Sequence, residues 1–229
     1  MMTRKIILFL IWIAFTSYTI SLAPLDQPDT WPLVQKLLTF QLADINAIIV
    51  SIFWFMGIWP MIFACLIFAD GKMQKIRAWP SWIGSNGMGI IGLTPYLLLR
   101  ASNQEFDGKK DKLLRSLDKR STGIALLLTT LGLFAYAFIA GNWGDYVQQF
   151  QTRAFVHLIS IDFCLMCLIF PITSLFDDDM ARRGLKDARI FWAVALVPLF
   201  GPLIYLCLRP PLPEVEIGRL QESPLPAMS

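Results

Sequence analysis

Six apolar stretches, at about 6–23, 45–69, 80–99, 122–140, 154–176 and 189–208, constrain this chain more than any other feature. Each approaches the roughly 20 residues that a helix needs to cross a hydrocarbon core of ~30 Å. Backbone polar groups in lipid must be satisfied within the segment, so runs of this length read as helices. A membrane β-barrel would alternate over ~10-residue segments, and no such alternation is present. The composition agrees, with 55% hydrophobic and 16% charged residues and a mean hydropathy of +0.55. The expected fold is an all-α membrane protein of six hydrophobic helices.

Within that frame one pattern occurs twice. Asp70, Gly92 and Tyr96-Leu-Leu-Leu-Arg100 recur at a constant offset as Asp179, Gly201 and Tyr205-Leu-Cys-Leu-Arg209, with Ser51/Ser160 and Ile52/Ile161 in register upstream. At a slightly larger offset Trp31…Val34-Gln35 echoes Trp143…Val147-Gln148. Internal repeats are common in membrane transporters. The pattern divides the chain into a first three-helix half (1–100), a basic connector (101–121), a second three-helix half (122–213) and an extended, mobile tail (214–229).

Arg4 and Lys5 before the first stretch and Ser21-Leu22-Ala23 after it resemble a signal peptide. Pro24 would follow the cut, and the apolar run is long for a signal, so a retained helix is expected. All four cysteines lie in apolar segments, which argues against an extracellular disulfide framework. Six full crossings divide Lys and Arg almost evenly between the two faces, a poor fit to the positive-inside rule. A third stretch that re-enters would put most of them on one face, and Gly84, Gly87, Gly89, Gly92 and Pro95 allow such a break. Both arrangements remain open, and with them orientation and the symmetry of the halves.

The connector and its surroundings carry Lys109, Lys110, Lys112, Arg115, Lys119 and Arg120, with Arg182 and Arg183 as their counterparts in the second half. All are expected at the membrane surface. Leu113, Leu114 and Leu117 share a helical face, so Lys112–Arg120 is either a short interfacial helix on an anionic leaflet or a solvated loop. Nucleic-acid binding is not supported, because no basic face belongs to a soluble domain. Trp31, Trp79, Trp82, Trp143, Tyr146 and Tyr205 fit an aromatic belt.

Among residues that could carry chemistry, Asp162 lies well inside an apolar segment, where a carboxylate costs about 2.5–3.5 kcal/mol to insert and should face the bundle interior. Asp162, His157 and Ser160 form a candidate intramembrane polar site; a hydrogen-bonded packing role for Asp162 carries similar weight. His157, Ser160, Cys164 and Cys167 share one flank, but with a single histidine and an apolar Cys-x-x-Cys, packing is the better reading. Asp44 and Asn46 read as helix N-caps ahead of ion ligands. Asp177, Asp178 and Asp179 could hold Mg²⁺ against a lipid diphosphate. The CDP-alcohol phosphotransferase pattern, however, needs one more residue before Ala-Arg and two later aspartates, and none follows Asp187. An acidic helix end neutralised by nearby basic residues is favoured. No cofactor is indicated and no catalytic set is complete, so a non-enzymatic role is expected.

Phe191-Trp-Ala-Val-Ala-Leu-Val-Pro-Leu-Phe-Gly-Pro-Leu-Ile-Tyr-Leu-Cys-Leu-Arg-Pro-Pro-Leu-Pro213, Asp179-Met-Ala-Arg-Arg-Gly184, Ala23-Pro-Leu-Asp-Gln-Pro-Asp-Thr30 and Ala69-Asp-Gly71 resemble uncharacterised multi-pass membrane proteins of cyanobacteria and plastids. The resemblance covers most of 20–213 and brings no catalytic residues. It implies a cyanobacterial thylakoid or plasma membrane, or a plastid membrane. The implied partners are the lipid bilayer and other integral proteins of the photosynthetic apparatus. A binding, assembly or regulatory component is expected first, and a small transporter or channel using Asp162 second.

Overall fold

The computed structural model describes residues 2–21, 23, 27–103 and 105–213; the tail expected at 214–229 lies outside them. Every element among the described residues is a helix. In the first part of the chain these are α1 (Met2–Ser21), α2 (Thr30–Leu38), α3 (Ala47–Asp70), α4 (Trp79–Met88) and α5 (Ile90–Leu99). A short α6 (Lys112–Leu117) leads into α7 (Arg120–Ala140), α8 (Trp143–Thr152), α9 (Ala154–Ile172) and α10 (Ser174–Arg182). The last two are α11 (Ala188–Ala195) and α12 (Phe200–Leu208).

Four of these, α1, α3, α7 and α9, are long and apolar enough to cross a membrane. The chain is a helical membrane protein. Six full crossings do not form: the third and sixth apolar stretches are each two short helices, α4–α5 and α11–α12. At ten residues each, α4 and α5 span about 15 Å, half of a hydrocarbon core. The causes of the breaks are local. Gly89 between α4 and α5 has φ 51°, a left-handed conformation that a β-carbon opposes. Pro198 interrupts the second stretch, because the residue before a proline leaves helical space; Leu199 then takes φ 63°.

Both short pairs fold back on themselves. A β-carbon on Gly92 would lie 2.2 Å from the Gly84 backbone, and one on Gly201 would lie 2.1 Å from the Val194 carbonyl oxygen. Each pair is thus a tight hairpin whose arms touch through the repeated glycine. The bases of the hairpins gather at one end of the molecule. There Lys5 donates to the Leu98 and Arg100 carbonyls, both at 2.7 Å, satisfying acceptors left free at the end of α5. At the opposite end α2 and α8 flank the starts of α3 and α9. Asn46 caps α3 by accepting from the Ile48 amide, as expected. It also donates to the Asn142 carbonyl and to Asp145.

The central helix is α3, buried along most of its length, with Trp59 and Phe63 packed on Phe170 of α9. Exposed apolar residues concentrate on α1 and α7, which suits helices facing lipid. Among the described residues, Lys36 and Arg153 are the lysine and arginine at the α2–α8 end; the rest lie at the hairpin bases. The positive-inside rule assigns the hairpin bases to the inner face.

Candidate functional site

At the hairpin bases the repeated residues meet. The Tyr96 hydroxyl donates to Asp70 at 2.6 Å, and Arg100 grips the same carboxylate through Nε at 2.8 Å and Nη2 at 2.6 Å. Correspondingly, the Tyr205 hydroxyl donates to Asp179 at 2.6 Å and Arg209 reaches it at 3.3 Å. The Asp–Tyr separation is 26 and the Asp–Arg separation 30 in both sets. Tyrosine and arginine four apart share a helix face, so each hairpin's second arm presents both to the aspartate of the helix before it.

Helix α10 ties the two sets together. Arg182 pairs with Asp70 and Asp178 with Arg100, while Arg183 holds Asp179 and also Asp118. Burial alone would raise the Asp179 carboxyl, but the Arg183 and Arg209 charges outweigh it and hold the group below the ordinary carboxylate range. Asp118 is lowered likewise, against burial, by Arg183 and Lys110. Arg183 is pushed up: burial lowers it, but Asp179 and Asp118 more than compensate.

This geometry corrects two expectations. Arg182 and Arg183 are not surface residues; they are 4% and 7% exposed, because each faces an aspartate of a different hairpin base. Tyr205, placed in the aromatic belt, is likewise buried on Asp179. Lys109, Lys112, Arg115, Lys119 and Arg120 are exposed, and Lys110 pairs with Asp118. Helix α6 forms with Leu114 and Leu117 buried but Leu113 exposed. The Asp triplet does not converge. Asp177 pairs with Arg4, Asp178 binds Arg100 and Ser102, and Asp179 belongs to the Tyr205 set. Each carboxylate is neutralised by a different guanidinium.

Asp162, His157 and Ser160 also go to three separate places. Asp162 is 9% exposed and accepts the Ile90 amide at 3.0 Å, so a side chain of α9 caps the start of α5. Its carboxylate occupies the space beside Gly89, where a β-carbon would lie 1.6 Å from Oδ2. His157 meets the Tyr18 hydroxyl at 2.6 Å and the Phe150 carbonyl at 3.1 Å, joining α1 to the α8–α9 turn. Ser160 accepts from Tyr146 at 3.0 Å and donates to its own helix. Asp44 stays exposed near Lys36.

A second feature gave no signal in the sequence. Between α3, α7, α9 and the α11–α12 tip runs an apolar groove of about 580 Å³. Eight aromatic rings line it, among them Phe55, Phe134, Phe138 and Phe163, with Pro198, Leu199 and Phe200 closing one side. Ser51 and Ser160 reach it with their hydrogen bonds already made to protein. The groove therefore offers mainly stacking and apolar surface, and neither serine is free to anchor a guest. Ser160, Cys164 and Cys167 belong to its wall, a lining role. No family model, no curated protein and no solved structure matches the chain.

Proposed function

We propose that this is a non-enzymatic membrane protein that holds an apolar, ring-bearing guest in the aromatic groove, and so serves as a binding or assembly component of its membrane. The groove carries this reading. Its volume falls within the ~300–1,000 Å³ of small-molecule sites, and its lining is apolar and aromatic as such sites require. A photosynthetic membrane, thylakoid or plasma, is the proposed setting, on the resemblance in sequence, with pigments or quinones as guests of the right chemistry. We further propose two related halves, α1–α5 and α7–α12. With two crossings and one hairpin each, they would lie parallel, not inverted. The equal spacing of the two Asp–Tyr–Arg sets supports this.

The test is to purify the full chain from native membranes and identify bound organic molecules and proteins. A co-purifying conjugated compound that Cys164→Phe displaces supports the reading; a wild-type protein that emerges with neither guest nor partner overturns it.

One observation favours a second reading, a small transporter or channel: α5 begins at mid-depth, and Asp162 complements its positive end. Asp162→Asn separates the roles, since the amide oxygen can still accept the Ile90 amide while the ionisable group is gone. Unchanged solute flux in Asp162→Asn vesicles would leave Asp162 as a cap only.

A further inference from the structure

On the inner face, α6, the start of α7 and the segment after α12 enclose a cavity of about 580 Å³. Among the described residues, Lys110, Arg115, Lys119, Arg120 and Arg209 line it, with Asp118 as the carboxylate. That carboxylate is fully engaged. It accepts Lys110 at 2.9 Å, Arg183 at 2.7 Å and the Leu212 amide at 3.0 Å, and its side chain is 4% exposed. Arg209, itself 4% exposed, is fixed by the Cys65 and Leu117 carbonyls and by the Asp179 carboxylate at 3.3 Å, and forms a rigid guanidinium floor. The side chains of Lys119 and Arg120, by contrast, are exposed and make no hydrogen bond or ion pair among the described residues. The first turn of α7 opens here as well, with no side chain capping it. An uncapped helix start favours an anion through its free amides and its dipole.

What lies below the cavity identifies the class of anion. Arg120, Ile124, Leu128 and Leu131 follow one another down a single face of α7 at helical spacing. The three apolar members are 48%, 62% and 46% exposed. Positive charge at the head of an exposed apolar stripe matches an amphiphile whose anionic head group sits at the interface and whose chains run along the helix. We propose that this cavity binds the phosphate head group of an anionic phospholipid, with the acyl chains along the Ile124–Leu128–Leu131 stripe. Lys119 and Arg120 supply the mobile charges, and Arg209 and the α7 amides the fixed ones. The site is separate from the aromatic groove and does not depend on what the groove holds.

The full chain, purified in neutral detergent and stripped of lipid, is titrated with phosphatidylglycerol, phosphatidylcholine and inorganic phosphate, with bound adducts counted by native mass spectrometry. Each cation facing an anionic head group is worth about fivefold in affinity. Phosphatidylglycerol should therefore bind about tenfold or more tighter than phosphatidylcholine, and Lys119→Gln/Arg120→Gln should remove that preference with the melting temperature unchanged. Lys109→Gln/Lys112→Gln takes two exposed charges from the same face but none from the cavity, and should weaken binding by about twofold or less. Equal binding of the two lipids overturns the site, as does equal weakening by the two double variants. Displacement of phosphatidylglycerol by millimolar inorganic phosphate overturns the lipid assignment in favour of a free oxyanion.

Discussion

At their bases the α4–α5 and α11–α12 hairpins are held by the same three residue types at the same spacing; at their tips they part. The first tip is sealed: Gly89 and the Ile90 amide sit directly on Asp162. The second, at Pro198–Phe200, opens onto the aromatic groove and strains Leu199 into positive φ. Residue 53 of α3, at the same offset from Asp162 as Asp70 is from Asp179, is a phenylalanine and offers the second tip no carboxylate. A short helix that returns to the face it came from needs its base anchored, and a buried Asp–Arg pair with a tyrosine donor supplies that anchor. The tip carries no such demand, and there the two hairpins have room to differ in what they do.

The largest effects should come from breaking the shared bases. Removing one member of a buried ion pair costs about 3–5 kcal/mol, because it strands the other charge. Asp70→Asn and Asp179→Asn should both destabilise by that order in thermal unfolding in detergent. Asp70→Asn should be at least as severe. It leaves Arg182, whose Nε and Nη1 already lack an acceptor, with only the Asn103 carbonyl. Equal tolerance of both substitutions would mean that the bases are not anchors.

The tips should respond for different reasons. Gly89→Ala places a β-carbon on the Asp162 carboxylate and a side chain in left-handed space; a loss of about 2 kcal/mol or more is expected. Leu199→Gly relieves a residue held at φ 63° by about 1 kcal/mol but deletes a side chain that is 3% exposed, and the lost packing of about 2 kcal/mol or more makes this variant destabilising too. Leu199→Gly should therefore melt no lower than Leu199→Ala, and a Leu199→Ala that melts well above it would show that the positive φ carries no strain.

The smallest effect concerns pH. Asp118 and Asp179 have carboxyls held below their ordinary values in the folded chain, so the stability they contribute is full above the ordinary carboxylate range, near 4. It is lost as pH falls through their lowered values. Melting temperature should therefore stay flat from neutrality to about pH 5 and drop only in stronger acid. Asp179→Asn should flatten part of that drop.

Much of the base was legible in the sequence, because Asp70, Tyr96 and Arg100 recur in register and helical spacing places tyrosine and arginine on one face. Its burial was not. A run such as Asp177–Arg183 looks solvated until two hairpins converge on it, and only tertiary structure brings Asp70 and Arg100 to its two sides. The break in the third stretch was written in four closely spaced glycines, whereas the sixth has a single glycine, Gly201, with Pro198 and Pro202 in an otherwise continuous apolar run. The partner of Asp162 is a backbone amide, which leaves no side-chain signature. The groove is made of ordinary aromatic residues from five elements, so no local pattern announces it.

The bridging position of α10 also sets an order of events during synthesis. Arg100 and Asp178 are 78 residues apart, and Asp70 and Arg182 are 112 apart. At about 5–20 residues per second, the first interval alone occupies on the order of 4–16 s of translation. During that time the first hairpin has its own Asp70–Tyr96–Arg100 set and the α1 contacts from Lys5 and Trp12 to hold it, without α10. The clasp between the two bases closes only when α10 emerges, and both grips then close within a single helical turn or so of chain. Anything that must enter between α5 and α10 has that interval in which to do it.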